Sequence, residues 1–261
     1  MKPSLFLTTA GALLALAATA GAQVLRYDLT GLPSSGTIPS STNASTVAPG
    51  LTDISLTRGP GIVAAGLGNG FSANNWNNPA TTDPNGYTDP SLANAILSGD
   101  YFQFGFSVEN GYTASLTTFD VSLRRSAINA ASSFELQYSF DGFATAGNVA
   151  ADFTYFGRSS GTAGTPTPYQ WMTTDTPGQN NGNPISTVDL STFLDLQNIA
   201  AGTTVTFRLF GYGAASGAAD SNTIALGRVD GPTLGGVVVP EPSSLALLGM
   251  LSVGALLRRK K

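Results

Sequence analysis

The chain of 261 residues contains no cysteine and no histidine, and only 11% of it is charged. The first absence removes disulfides, iron–sulfur ligation and thiol chemistry. The second removes Ser-His-Asp and Cys-His relays, haem ligation through imidazole and the usual nitrogen/sulfur zinc sites. Carboxylate chemistry, hard-cation binding or a role without chemistry remain. Lysine is confined to the ends, at Lys2, Lys260 and Lys261. Between residues 23 and 239 seven arginines face fifteen acids, a net charge of −8. That body lacks the basic surface on which phosphate neutralisation depends, which argues against nucleic acid as a partner. It suits an exposed extracellular surface.

What is present starts with the two ends. Residues 1–22 carry one basic residue, Lys2, then the apolar run Leu5 to Ala18, then Ala20-Gly21-Ala22. Small residues at the −3 and −1 positions, here Ala20 and Ala22, mark a secretory signal peptide cut after Ala22. This implies signal peptidase and the Sec export machinery as partners. The other end reads Val237-Val238-Val239-Pro240-Glu241-Pro242-Ser243-Ser244, then the apolar stretch Leu245 to Leu257, then Arg258-Arg259-Lys260-Lys261. A helix of about fifteen residues at roughly 1.5 Å per residue reaches about 22 Å, short of a hydrocarbon core of roughly 30 Å. The basic tail stays cytoplasmic under the positive-inside rule while the short helix holds the chain at the inner membrane. The logic is that of a retention and processing tail.

The string VPEPSSLALLGMLSVGALLRRKK resembles the PEP-CTERM sorting signal of Gram-negative bacteria, with a Pro-Glu-Pro motif, a hydrophobic helix and a basic terminus in that order. The resemblance covers about the last 25 residues. It implies recognition by an exosortase of the inner membrane, with Pro240, Glu241 and Pro242 as the motif and cleavage near it. It further implies delivery to the cell surface or extracellular matrix, often beside exopolysaccharide. It assigns no activity to the body of the chain.

From Val24 to about Gly235 the hydrophobic pattern has period 2. Phe102, Phe104, Phe106 and Val108 alternate with Tyr101, Gln103, Gly105 and Ser107. Leu116–Arg125, Ser133–Asp141 and the Val205, Phe207, Leu209 run repeat the pattern, each with one apolar and one polar face. Such strands belong to a sheet packed on one side and wet on the other. In Ser133–Asp141 this places Phe134, Leu136, Tyr138 and Phe140 inward, and Glu135, Gln137 and Ser139 outward. Turn signals such as Glu109-Asn110-Gly111, Asp141-Gly142 and Ala201-Gly202 separate the runs. Helix is sparse: Pro90–Ser98, capped by Asp89 or Ser91, and Leu190–Ile199. Ser34–Pro49 and Asn69–Thr88 read as polar surface loops. The predicted fold class is all-β, a single jelly-roll-like β-sandwich flanked by the signal peptide and a short C-terminal hydrophobic helix. Its divisions are residues 1–22, 23–235 and 236–261. The stretches YFQFGFSVENGYTASLTTFDVSLRRS, FELQYSFDGF and TVTFRLFGYG also resemble a β-sandwich ectodomain found among PEP-CTERM proteins, and this supports the fold alone.

Few side chains stand out as ligand or catalytic candidates. Trp76, in an Asn-rich loop, and Trp171 have the residue type that stacks on sugar rings. Asp141, Asp152 and Asp230 are the acids best placed for calcium, which jelly-roll modules take through Asp and carbonyl oxygens; Asp141-Gly142 also reads simply as a turn. Arg124-Arg125 closes a strand, so one of the two reads as an anion site or as the partner of a neighbouring-strand acid such as Glu135 or Asp141. Glycoside hydrolysis needs two nearby carboxylates. The body has only two glutamates, Glu109 and Glu135, and Glu135 has no acid companion in its own strand. The expectation is an exported, exosortase-processed, non-enzymatic structural or adhesive protein linked to exopolysaccharide. It has no catalytic residues and no cofactor other than calcium. The alternatives are a carbohydrate-binding module, calcium-assisted, and a secreted glycan hydrolase.

Overall fold

The computed structural model describes residues 22–33, 38–66, 70–76, 91–125, 130–154, 182–185, 187–213, 223–227 and 230–241. In chain order these form β1 (Gln23–Arg26), β2 (Ser41–Thr42), β3 (Thr46–Val47), β4 (Leu51–Arg58), β5 (Val63–Ala64), β6 (Ser72–Asn74), α1 (Leu92–Ser98), β7 (Tyr101–Val108), β8 (Tyr112–Asp120) and β9 (Ser122–Arg125). There follow β10 (Ser133–Ser139), β11 (Asn148–Thr154), β12 (Asn183–Pro184), β13 (Val188–Asp189), β14 (Thr204–Tyr212), β15 (Ile224–Leu226) and β16 (Thr233–Pro240). The fold is an all-β sandwich. Its strands form three antiparallel sheets, ordered β13-β8-β16-β1-β3, β11-β10-β14-β7-β4-β2 and β12-β9-β15-β6-β5.

The alternating runs fold as their pattern dictates. On β7 the residues Phe102, Phe104 and Phe106 are buried, and Phe104 stacks on Phe207 of β14 at 5.4 Å and on Phe119 of β8 at 5.7 Å. Because β8 belongs to a different sheet from β7 and β14, this stack joins the two larger sheets at the centre of the core. Aromatic pairs in such offset arrangements add to the area they bury. Tyr27, just past β1, reaches across the sandwich so that its hydroxyl donates to the Ile54 carbonyl on β4. The run Leu116–Arg125 does not stay in one sheet. It breaks at buried Val121, whose carbonyl accepts from Ile185 N–H at 2.9 Å, and continues as β9 in the third sheet. One amphipathic run thus serves two sheets, as strands do at sandwich corners.

Several sequence expectations change. The polar face of β10 is not wet: Glu135, Gln137 and Ser139 are all buried, while Phe140 is half-exposed past the strand end. The turn that follows folds back over this face, with Phe143 at φ +67 and its ring 4.1 Å from the Arg208 guanidinium on β14. The polar stretches expected as loops contribute β2, β3 and β6. Helix α1 forms where expected, with Ser91 accepting from Asn94 N–H at 3.2 Å as N-cap and Gly99 left-handed at the other end. In place of a helix over Leu190–Ile199 there is one 3-10 turn, Leu194–Leu196, and a bridge from Ile199 to Ala114. The boundary drawn between residues 235 and 236 falls inside β16, so the sandwich extends to Pro240.

Candidate functional site

The residues singled out for ligand chemistry lie apart. Trp76 is 2% exposed, donates its indole N–H to the Ala73 carbonyl at 2.7 Å and sits edge-on to Phe102 at 5.1 Å. It is a core residue and offers no ring face to a sugar, because β6 draws the start of the Asn-rich segment into the third sheet. Trp171 lies outside the described residues. Asp141 is exposed, but its oxygens accept from Ser139 Oγ (2.6 Å), Ala144 N–H (3.1 Å), Thr145 N–H (3.1 Å) and Thr145 Oγ1 (2.7 Å). These bonds hold its carboxyl down at about 2, with Ser139 and then Thr145 as the main causes. They make it the organiser of its turn. Asp152 is on β11 and Asp230 precedes β16, where its carbonyl accepts from Ser122 N–H at 2.8 Å. Among the described residues no three acids gather as a metal group would require.

One pair does meet. Asp152 lies directly opposite Glu135 across the β10–β11 ladder. Directly opposed like charges repel. Glu135, 6% exposed, accepts from Gln137 Nε2 at 2.5 Å, and Asp152 accepts from Tyr212 Oη at 2.7 Å. Burial, and then the Asp152 charge, push the Glu135 carboxyl above its ordinary value, partly offset by Gln137. Beside this pair Arg208 is held between the rings of Tyr101 (4.2 Å) and Phe143 (4.1 Å), and its Nε donates to Gln103 Oε1 at 2.9 Å. Arg58 likewise is held by carbonyls and a ring face, its Nε and Nη1 donating to the Ser72 and Pro39 carbonyls and its guanidinium lying over Phe71. Arg124 is buried on β9 between β12 and β15, so neither Glu135 nor Asp141 is on a strand beside it.

The first and last described segments, by contrast, come together. β1 and β16 are antiparallel neighbours, with Gln23 opposite Gly235 and Gly236 N–H donating to the Ala22 carbonyl at 2.9 Å. The chain therefore enters β1 at the same end of the sheet at which it leaves β16. On the other side β16 pairs with β8 as far as Pro240 opposite Tyr112, and Glu241 N–H donates to the Gly111 carbonyl at 2.7 Å. A mainly apolar groove of about 350 Å³ opens at this end. Its walls include Val24, Ala48, Pro49, Tyr112, Val238 and Pro240. Next to Pro49, Gly50 is required at φ +87, because the Tyr112 ring occupies the place where a Cβ would project. Residues 238–261 match the PEP-CTERM protein-sorting motif.

The tail is a PEP-CTERM sorting signal. No curated protein and no solved structure matches the chain. A chain with this signal is exported, is held transiently in the membrane and is sorted by an exosortase to the surface. The first residues of the PEP-CTERM signal, Val238 to Pro240, are part of a central strand, and Glu241 is tied to the β7–β8 turn. Among the described residues no helix is long and apolar enough to cross a membrane. Ala20, Pro242 and the basic cluster Arg258, Arg259, Lys260 and Lys261 lie outside the described residues. The groove residues Ala48, Pro49 and Tyr112 were not singled out in the sequence. The only local sign of them is the Val237–Val239 run ahead of Pro240, which reads as a strand as readily as a linker.

Proposed function

We propose that the chain, cut after Ala22 and processed at its PEP-CTERM signal, is a non-enzymatic structural or adhesive protein on the surface or in the exopolysaccharide matrix of a Gram-negative bacterium. The observation that carries this reading is the juxtaposition of Ala22 and the β16 strand at one end of the sandwich. Both membrane-directed segments leave from that end, so during export the sandwich stands on it and presents the opposite end and its sheet faces outward. The acidic, lysine-free body fits that exposure. The absence of an enzymatic role is supported by the missing histidine and cysteine and by the enclosure of Glu135, whose carboxylate is clamped by Gln137 away from solvent. Immunolabelling of intact cells with and without the exosortase tests the reading. Surface label and a shortened chain are expected only when the enzyme is present; equal label and unchanged mass in its absence would discard the reading.

A carbohydrate-binding role is the second reading, favoured by the Tyr101, Arg208 and Phe143 column beside Gln103 on the outer face of the six-stranded sheet. A planar cation between rings, flanked by amides, is the chemistry that meets acidic polysaccharides. Retention on immobilised acidic exopolysaccharide that is lost in Arg208→Ala would support it.

A further inference from the structure

We propose that the open edge of β16 from Gly236 to Pro240, with the groove beside it, is the surface on which the exosortase docks, so that the enzyme reads the folded sandwich as well as the tail. The inference rests on the sorting reading above and adds where the enzyme sits.

The backbone pattern identifies the edge. Glu241 N–H points at β8, and so by alternation do Val239 and Val237, whereas Val238 between them turns its N–H and C=O the other way. Ala114, opposite Val238, confirms the alternation from the far side by exchanging bonds with Ile199 at 3.0 and 2.7 Å, away from β16. On the side away from β8, β1 reaches only Gly235, and among the described residues Ala22 supplies the one further acceptor, for Gly236. A cut after Ala22 removes that acceptor. Among the described residues, the strand then presents Gly236 N–H and C=O, Val238 N–H and C=O, and Pro240 C=O along a bare edge. Such a row is a template for an added strand. Pro240 has no N–H to offer, and its ring ends the row, which limits the length over which anything pairs.

The occupant follows from continuity. Val238 and Pro240 are at once walls of the groove and residues of the PEP-CTERM signal. A protease that binds this signal with an extended strand is brought against Ala48, Pro49 and Tyr112 by the same residues it recognises. The side chains there are aliphatic or aromatic, the groove being a place for alternate apolar residues of the added strand.

The test uses substitutions outside residues 238–261, in the full-length chain expressed with its exosortase. Ala48→Arg fills the groove, and Pro49→Glu places a charge on its exposed rim as a change the fold tolerates easily. Removal of the tail, followed by mass, is expected to slow at least about tenfold in both, equivalent to about 1.4 kcal/mol. Thermal melting of the extracted chains is expected to be unchanged in at least Pro49→Glu. Processing of a folded variant at the wild-type rate overturns the docking surface while leaving the sorting reading intact. Processing of the wild type in cells without exosortase overturns the sorting reading itself. The chain lacks cysteine, so Ala48→Cys gives a single thiol. Disulfide-linked pairs of chains formed through it in cells without exosortase assign the edge to a second copy and also overturn the proposal.

Discussion

Asp100 is 1% exposed, with Oδ1 buried and without a hydrogen-bond partner among the described residues. It follows the left-handed Gly99 that ends α1, and its own N–H donates to the Ala95 carbonyl at 2.9 Å, so its carboxyl lies at the negative end of the helix. Burial pushes it up to about 7. In the unfolded chain the same group titrates near 3.9. The folded state therefore holds the extra proton between about pH 4 and pH 7, and stability falls as pH rises through that window, then levels. The loss is at most about 4 kcal/mol. Asp100→Asn is expected to flatten this slope and raise the melting temperature at pH 8; an unchanged pH profile would mean the carboxyl is solvated. Nothing in the sequence marks Asp100 as different from the exposed Asp141, because both stand at turns and burial is decided by distant strands. Trp76 shows the same limit. Its Asn-rich neighbours signal a loop, while Phe102 and Gly211, which border its indole, come from β7 and β14.

At the scale of elements, the long amphipathic strands were legible because period-2 alternation is a local property. β7, β8, β10 and β14 lie where the pattern puts them. The two-residue strands β2, β3 and β5 were not legible, since the pairs Ser41-Thr42, Thr46-Val47 and Val63-Ala64 are too short to have a period, and only the register of a neighbour makes them strands. The covered face of β10 was hidden for a similar reason: Gln137 and Ser139 look outward-facing until the turn carrying Phe143 closes over them. β16 is the element that matters most for processing. A chain ending at Glu241 keeps the whole β8–β16 ladder and is expected to melt as the unprocessed chain does. One ending at Gly235 loses the pairs from Gly236 to Pro240, a cost of about 2 to 4 kcal/mol on cross-strand interactions. Melting curves of the two truncations decide this, and equal curves would show that the last strand contributes nothing.

For the whole molecule, the meeting of Ala22 and β16 couples folding to maturation. A protease takes its substrate as a single extended strand, and residues 236–240 are engaged with β8 in the folded chain. The mature C-terminus is therefore expected at or beyond Glu241; mass spectrometry of surface-extracted chain ending within Gly236–Pro240 would contradict it. The class of the fold and the address carried by its C-terminal tail were legible in the sequence. The approach of those ends was not, because no local pattern states which strands become neighbours.

The rims of the sheets carry one more consequence. Of the six outermost strands among the described residues, β13, β3, β2, β12 and β5 are two residues long, and β11 has seven. Short borders give neighbouring molecules little to zip onto. Packed at high density, such molecules resist fusing into fibrils, and β11, with Asp152 on it, is the longest of these outer strands.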